Sequence, residues 1–110
     1  MDRLQFLVQG SASEPYQVTF RKVGDNLSAF CTCPAGQNGQ YCKHRFSILA
    51  GSAKGIVSDN SSDLSAVNEW LVGSDVQAAM IEVERLEIEA ERIKKELARA
   101  KKGLARAMSD

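Results

Sequence analysis

The sequence has little that would place it in or across a membrane. Its first ten residues, MDRLQFLVQG, contain only the short apolar run Phe6-Leu7-Val8. A spanning helix needs about 20 apolar residues, and the apolar core of a secretory signal needs about 7–15. Its three cysteines cannot all pair with one another as disulfides. We therefore expect a cytoplasmic, reducing setting without a membrane partner.

The chain as a whole has no net charge, and its C-terminal part has no aromatic residues. The formal net charge is zero, so no overall attraction to nucleic acid is built in. From residue 74 onward there is no aromatic residue and no proline, whereas residues 1–57 contain every Cys, His, Pro, Tyr and Phe. This contrast predicts a compact module at 1–57, a linker with a short helix at 58–73 and a long amphipathic helix at 74–108.

Alternation of apolar and polar residues predicts three strands in the module. The segment LQFLV is a short strand, and YQVTFRKV places Tyr16, Val18 and Phe20 on one face. Gly24-Asp25-Asn26 is typical of a hairpin turn leading into a third strand, LSAFCTC. The predicted fold class is α+β, with about three antiparallel strands and a helix in the module, then the short helix and a long coiled-coil-like helix.

All three cysteines and the single histidine lie within the fourteen residues CTCPAGQNGQYCKH. Side chains at i and i+2 of a strand point the same way, so Cys31 and Cys33 can reach one ion. Pro34 ends the strand, and the turn-forming residues after it allow the chain to return with Cys42 and with His44 in the first turn of a helix. Three thiols and an imidazole form a soft tetrahedral ligand set, which predicts structural zinc.

The pattern Cys-x-Cys-x8-Cys-x-His, within CTCP and CKH, resembles the SWIM zinc finger over about residues 4–54. The resemblance implies strands followed by a helix and zinc as the cofactor. Members of this family accompany transposases, ATPases and ubiquitin ligases, so the resemblance also implies binding to DNA or to proteins.

Two catalytic interpretations compete with the structural site. Cys42 and His44 could form a nucleophile and base, but no third group that would orient the histidine is evident. A catalytic zinc keeps one open coordination position, whereas this sequence offers four good ligands. We therefore expect that the protein is not an enzyme.

The C-terminal segment has a heptad repeat of apolar residues over five heptads. Its a and d positions are all apolar: Val76, Val83, Ala90, Leu97 and Leu104 at a, and Ala79, Leu86, Ile93, Ala100 and Ala107 at d. We call this set the seam, and its larger residues are the predicted association residues: Val83, Leu86, Ile93, Leu97 and Leu104. Ile81 and Ile88 fall at f and are not explained by the seam. A homodimer is expected, although packing on the chain's own module or on a foreign helix would also cover the seam.

Charge along this helix favours an antiparallel pair. Residues 75–91 carry six acids against one base, and residues 92–108 carry seven bases against one acid. Antiparallel helices would oppose unlike blocks, and four of the five seam layers would then pair a larger with a smaller residue. Against this orientation, Glu89 would face Glu96, while parallel helices would gain pairs such as Glu89 with Lys94.

Two functions follow as hypotheses. The first is a small zinc-binding adaptor that contacts a protein partner through the finger and self-associates through the helix. The second is a nucleic-acid-binding accessory protein. Its phosphate contacts would come from five basic residues of the module: Arg21, Lys22, Lys43, Arg45 and Lys54. Trp70 is predicted to be a packing anchor, with docking to a partner as the alternative.

Overall fold

The computed structural model describes residues 3–109. Within that range, three strands precede four α-helices: β1 Arg3–Val8, β2 Tyr16–Val23, β3 Asn26–Cys31, α1 Pro34–Gln37, α2 Lys43–Leu49, α3 Leu64–Leu71 and α4 Asp75–Met108. A 3-10 turn at Ser61–Asp63 leads into α3. The chain divides into two compact units, Met1–Gln77 and Ala78–Asp110. The predicted α+β class is confirmed.

The three strands form one antiparallel sheet in the order β1-β2-β3. Gly24, at φ +58°, makes the tight turn between β2 and β3 where the sequence predicted a hairpin. Val18 and Phe20 are fully buried, as their alternation predicted, and the rings of Phe6 and Phe20 meet edge to face at 6.1 Å. Helices α2 and α3 complete this core with Ile48, Leu49 and Val67.

The β1 edge of the sheet is covered by the segment that follows α2. The N–H of Val57 donates to the carbonyl of Leu7 at 2.8 Å, and the N–H of Leu7 donates to Ser58 Oγ at 3.1 Å. Asn60 Nδ2 also donates to the carbonyl of Gln5 at 2.7 Å. These bonds satisfy strand groups that would otherwise be open to pairing with another chain.

The β3 edge is held by side chains from two helices. Asp75 Oδ1, at the start of α4, accepts from the N–H of Leu27 at 2.9 Å, and the N–H of Asp75 donates to the carbonyl of Asp25 at 3.1 Å. Arg45 of α2 donates to the carbonyl of Ala29 at 3.0 Å. The first residue of α4 is thereby fixed to the hairpin between β2 and β3.

We expect Asp75→Ala to lower the free energy of unfolding of the zinc-loaded protein by about 1–3 kcal/mol, because it leaves the N–H of Leu27 without its charged acceptor. Asp75→Asn, which keeps an acceptor oxygen, should cost less. Urea denaturation of both variants measures the difference, and equal stability of Asp75→Ala and the wild type would contradict the role of this bond.

Helix α4 begins with a side-chain cap. Ser74 is buried, and its Oγ accepts from the N–H of Gln77 at 3.1 Å, as a capping box requires. The reciprocal bond is shifted by one residue, because Gln77 Oε1 accepts from the N–H of Gly73 at 2.8 Å rather than from that of Ser74.

The helix then runs for 34 residues, or roughly 50 Å at 1.5 Å per residue. The larger seam residues are about half exposed, from 45% for Val83 to 58% for Leu104. Among the residues described, no helix is both long enough and apolar enough to span a membrane.

Candidate metal centre

The four predicted ligands meet at one point in the first unit. Cys31 ends β3, Cys33 is the N-cap of α1, Cys42 is the N-cap of α2 and His44 lies in the first turn of α2. Their three sulfurs and one imidazole nitrogen all lie within 4.8 Å of one another. The three cysteines are buried and unpaired as disulfides, so the structure brings together the complete predicted set.

The local backbone explains how the segment reverses direction. The sequence predicted that the third strand would reach Cys33, but β3 ends at Cys31. Cys33 keeps an extended backbone, with φ −66° and ψ 159°, so its side chain still points to the side of Cys31. Pro34 then occupies the first position of a helical turn, because its fixed φ suits that position. The predicted turn-forming stretch therefore contains the short helix α1.

The separations of the ligand atoms fit a small tetrahedral ion. The sulfurs of Cys33 and Cys42 are 3.4 Å apart, and His44 Nδ1 lies 3.8 Å from Cys31 Sγ and 3.7 Å from Cys42 Sγ. Tetrahedral zinc with bonds of about 2.3 Å to sulfur places its ligands about 3.8 Å apart. The donors are also of the soft type that zinc prefers, so these residues fit zinc in both chemistry and size.

The surroundings set the protonation of the thiols before metal binds. Burial raises the pKa of the Cys31 thiol to about 12, and the neighbouring thiols add to the effect. Burial also acts to raise the pKa of Cys42, but the backbone N–H of Arg45 and hydrogen bonds from Cys33 and His44 outweigh it and lower this pKa to about 6. At neutral pH Cys42 is therefore the ready thiolate, whereas Cys31 must lose a proton to bind metal.

We expect the apparent zinc affinity to rise about tenfold or more per pH unit around neutral pH, because at least the Cys31 proton is released on binding. Cys42 takes up a proton as the pH falls through about 6, so the dependence should steepen there. Competition with a chromophoric chelator, calibrated by itself at each pH, measures the slope. An affinity independent of pH would contradict thiolate ligation.

Backbone and ring contacts hold the ligands in place. The N–H of Gly36 donates to Cys33 Sγ at 3.3 Å, which orients that side chain. His44 turns Nδ1 toward the cysteines, and its ring lies against Tyr16 at a centroid distance of 5.0 Å. A Cβ on Gly10 would lie 2.6 Å from the Tyr16 ring and 3.1 Å from His44 Nε2. A side chain at residue 10 would therefore disturb the histidine.

The sequence did not indicate that Gly10 and Gly36 pack closely against the site, because glycine is common in loops for other reasons. Gly36 is the more constrained. A Cβ there would lie 2.5 Å from the Cys31 carbonyl oxygen and 2.8 Å from Cys31 Cβ, which is too close for either atom. Only a glycine lets the first turn of α1 approach the end of β3 so closely.

We expect Gly36→Ala to destabilise the loaded protein by about 1–3 kcal/mol and to weaken zinc binding, since the methyl group must push Cys31 or α1 aside. Gly39→Asn is the matched control. A Cβ on Gly39 meets no atom within 4 Å, and Asn tolerates its left-handed φ of +68°. Chelator competition compares the two variants, and equal zinc affinities would contradict the packing argument.

The five basic residues predicted to contact phosphates lie in three parts of the module: β2, α2 and the loop after α2. Lys22 Nζ donates to the carbonyl of Trp70, and Arg45 donates to the carbonyls of Ala29, at 3.0 Å, and Gln40, at 2.6 Å. These two side chains therefore have internal roles. The remaining three are exposed in separate elements: Arg21 in β2, Lys43 at the start of α2 and Lys54 in the loop after α2.

Trp70 is half-buried in α3, on the same side of the helix as the fully buried Val67. Its carbonyl accepts the bond from Lys22, so α3 is tied to β2 by this bond as well as by burial of Val67. These contacts involve the backbone of Trp70 and the side chain of Val67, so the role of the Trp70 ring as a packing anchor stays a prediction.

Comparison with known proteins assigns a family to the finger. Residues 6–47 match the family described as the SWIM zinc finger. This range includes β2, β3, α1, the end of β1, most of α2 and all four predicted ligands. Searches of the curated proteins and of the solved structures return no match. The predicted resemblance is confirmed: residues 6–47 match the SWIM zinc finger, and Cys31, Cys33, Cys42 and His44 are grouped as a possible metal site.

Proposed function

We propose that this protein is a non-enzymatic zinc-binding adaptor, whose finger contacts a protein partner and whose α4 helix pairs with a second copy. The observation that carries the proposal is the seam of α4, a stripe of apolar side chains repeated over five heptads with its larger members about half exposed. Stripes of this kind are normally covered by another helix.

The ligand geometry supports a structural zinc. Cys31, Cys33, Cys42 and His44 would each bind the ion, so no position is left for water or substrate. The ion would hold the end of β3 against the starts of α1 and α2. Its role would be to fix the fold of the finger, not to activate a reactant.

An aromatic pair beside α2 supports a protein contact by the finger. The rings of Tyr41 and Phe46 stack at 4.2 Å with an interplanar angle of 12°, and Tyr41 is 70% exposed. They border a groove of about 380 Å³ that also includes Ala29, Leu49 and Val76. Apolar grooves flanked by exposed aromatic rings are typical places for an apolar anchor residue of a partner protein.

The ion pairs of α4 weaken the objection to antiparallel helices. In that orientation Glu89 of one copy faces Glu96 of the other. Within a single helix, Arg92 pairs with Glu96 at 2.9 Å and with Glu89 at 3.8 Å. These exposed pairs contribute only about 0.3–0.5 kcal/mol each, but the positive charge between the two glutamates offsets their repulsion.

Light scattering of the zinc-loaded chain at tens of micromolar tests the assembly. A dimeric mass is expected, and a monomeric mass would overturn self-association. Cross-linking of Ala79→Cys in one copy to Leu104→Cys in another tests direction, since antiparallel helices place these positions in one layer. The wild type, whose own cysteines are buried in the finger, is the control for unwanted coupling. Efficient coupling of two Ala79→Cys copies instead would indicate parallel helices.

The protein contact is tested separately. Tyr41→Ala should reduce capture of protein partners from nuclease-treated lysate of the native host, while Val57→Ala, at another exposed apolar residue, should not. Equal capture by both variants would remove the aromatic groove from the proposal.

A further inference from the structure

One side of the sheet faces away from the buried core, and we call it the outer face. Its centre consists of two rows that cross all three strands. The strand register places Arg3, Arg21 and Ser28 opposite one another in the first row. It places Gln5, Thr19 and Phe30 in the second. The rows are two residues apart along each strand, or about 7 Å, so all six side chains share one side.

The first row places two positive charges directly opposite each other. Arg3 and Arg21 are cross-strand partners, and both are exposed. Neither guanidinium forms an ion pair with any carboxylate in residues 3–109. Like charges at opposed positions destabilise a sheet, so the arrangement has no stabilising role in the fold. Two arginine forks at this spacing would instead bind one phosphate between them.

The second row adds an aromatic surface. Phe30 is 60% exposed and is the diagonal cross-strand neighbour of Arg21. Such neighbours are about 7–8 Å apart, within reach of long and aromatic side chains. Beside it, Thr19 donates to Gln5 Oε1 at 3.5 Å, and both side chains retain polar atoms for further hydrogen bonds. An exposed aromatic ring among polar side chains offers a stacking platform for a base.

We propose that the outer face binds single-stranded nucleic acid. A phosphate lies between Arg3 and Arg21, the neighbouring base stacks on Phe30, and the polar side chains of the second row contact the edges of that base. A duplex cannot bind in this way because its base faces are already stacked. The site shares no residue with the seam or with the aromatic groove, so it extends the adaptor function and can fail independently of it.

The test uses the full zinc-loaded chain with fluorescently labelled 12-nucleotide DNA and RNA single strands of mixed sequence, followed by anisotropy at several salt concentrations. We expect single strands to bind more tightly than a duplex of the same sequence. One phosphate neutralised between the two arginines predicts a slope of log affinity against log salt of about −0.7. Arg21→Gln, which leaves a single arginine at that phosphate, should lower the affinity and flatten the slope. Phe30→Ala should weaken binding about fivefold or more without changing the slope, and Phe30→Tyr should restore it.

Lys54→Gln is the matched control, since it removes an exposed charge that lies outside the sheet. It should leave affinity and salt slope unchanged, and zinc content should equal that of the wild type in every variant. If Lys54→Gln and Arg21→Gln lowered the affinity for single strands equally, binding would be a diffuse electrostatic attraction and the proposed site would be wrong. The proposal would also be overturned if single strands did not bind at low salt. A third contradicting result would be a polyglutamate peptide that binds as tightly as the oligonucleotides, with an affinity that Phe30→Ala does not change.

Discussion

Cys33→Ser is expected to unfold the finger. Zinc binding contributes about 10–16 kcal/mol in zinc-finger peptides, which is comparable to the entire stability of an ordinary domain. Loss of one ligand removes much of that free energy and leaves the remaining buried thiols without their ion. Trp70, the single tryptophan, is half-buried in α3, three residues from the buried Val67, so its fluorescence should report the loss. Treatment of the wild type with a strong chelator should give the same result.

Thr32→Ser is the control for this prediction. Residue 32 lies between two ligands but is exposed, and serine keeps the hydroxyl that accepts from the N–H of Gln17 at 2.9 Å. Elemental analysis should find one zinc per chain in the wild type and in Thr32→Ser. A Cys33→Ser protein that retains stoichiometric zinc and unfolds like the wild type would refute the role of Cys33 as a ligand.

Replacement of both Leu86 and Leu97 with aspartate is expected to give monomers. These residues share one layer of the proposed antiparallel seam, so a dimer would bury four carboxylates in place of four leucines. Truncating a buried leucine already costs about 2–5 kcal/mol, and burial of an unpaired charge adds to that cost. We therefore expect the dissociation constant to rise by at least 100-fold, as measured by light scattering or sedimentation.

The same chemical change outside the seam provides the control. Ile81 and Ile88 are 60% and 66% exposed and lie at f positions, so the double change to aspartate there should leave the dimer intact. Zinc content should not change in either variant, because no metal ligand is involved. A dimer that survives the leucine changes but dissociates with the isoleucine changes would place the interface on the f stripe instead.

Features that depend on neighbours in sequence could be predicted from the sequence. Alternation in YQVTFRKV identified the buried face of β2, because side chains of a strand change sides at every residue. The spacing of Cys31, Cys33, Cys42 and His44 identified the cluster that the fold brings together as a possible metal site, because a thiol-rich cluster in a short segment has few other uses. Apolar residues at heptad spacing likewise identified the long helix, since they fall on one stripe.

Other features depended on contacts between distant residues. Asp75 accepts from Leu27 across 48 positions, and Leu7 donates to Ser58 across 51. No local period encodes such pairs, since they arise only after the sheet and helices have packed. The same holds for the bonds that Lys22 and Arg45 donate to carbonyls of distant residues in the folded chain.

The position of Gly36 against Cys31 and the alignment of Arg3 with Arg21 also followed from packing and strand register. The sequence by itself thus determined which residues could bind metal and which stripes were apolar, because those are properties of local spacing. Only the tertiary structure decided which charged side chains form hydrogen bonds within the described residues, because the packing of distant elements determines their partners.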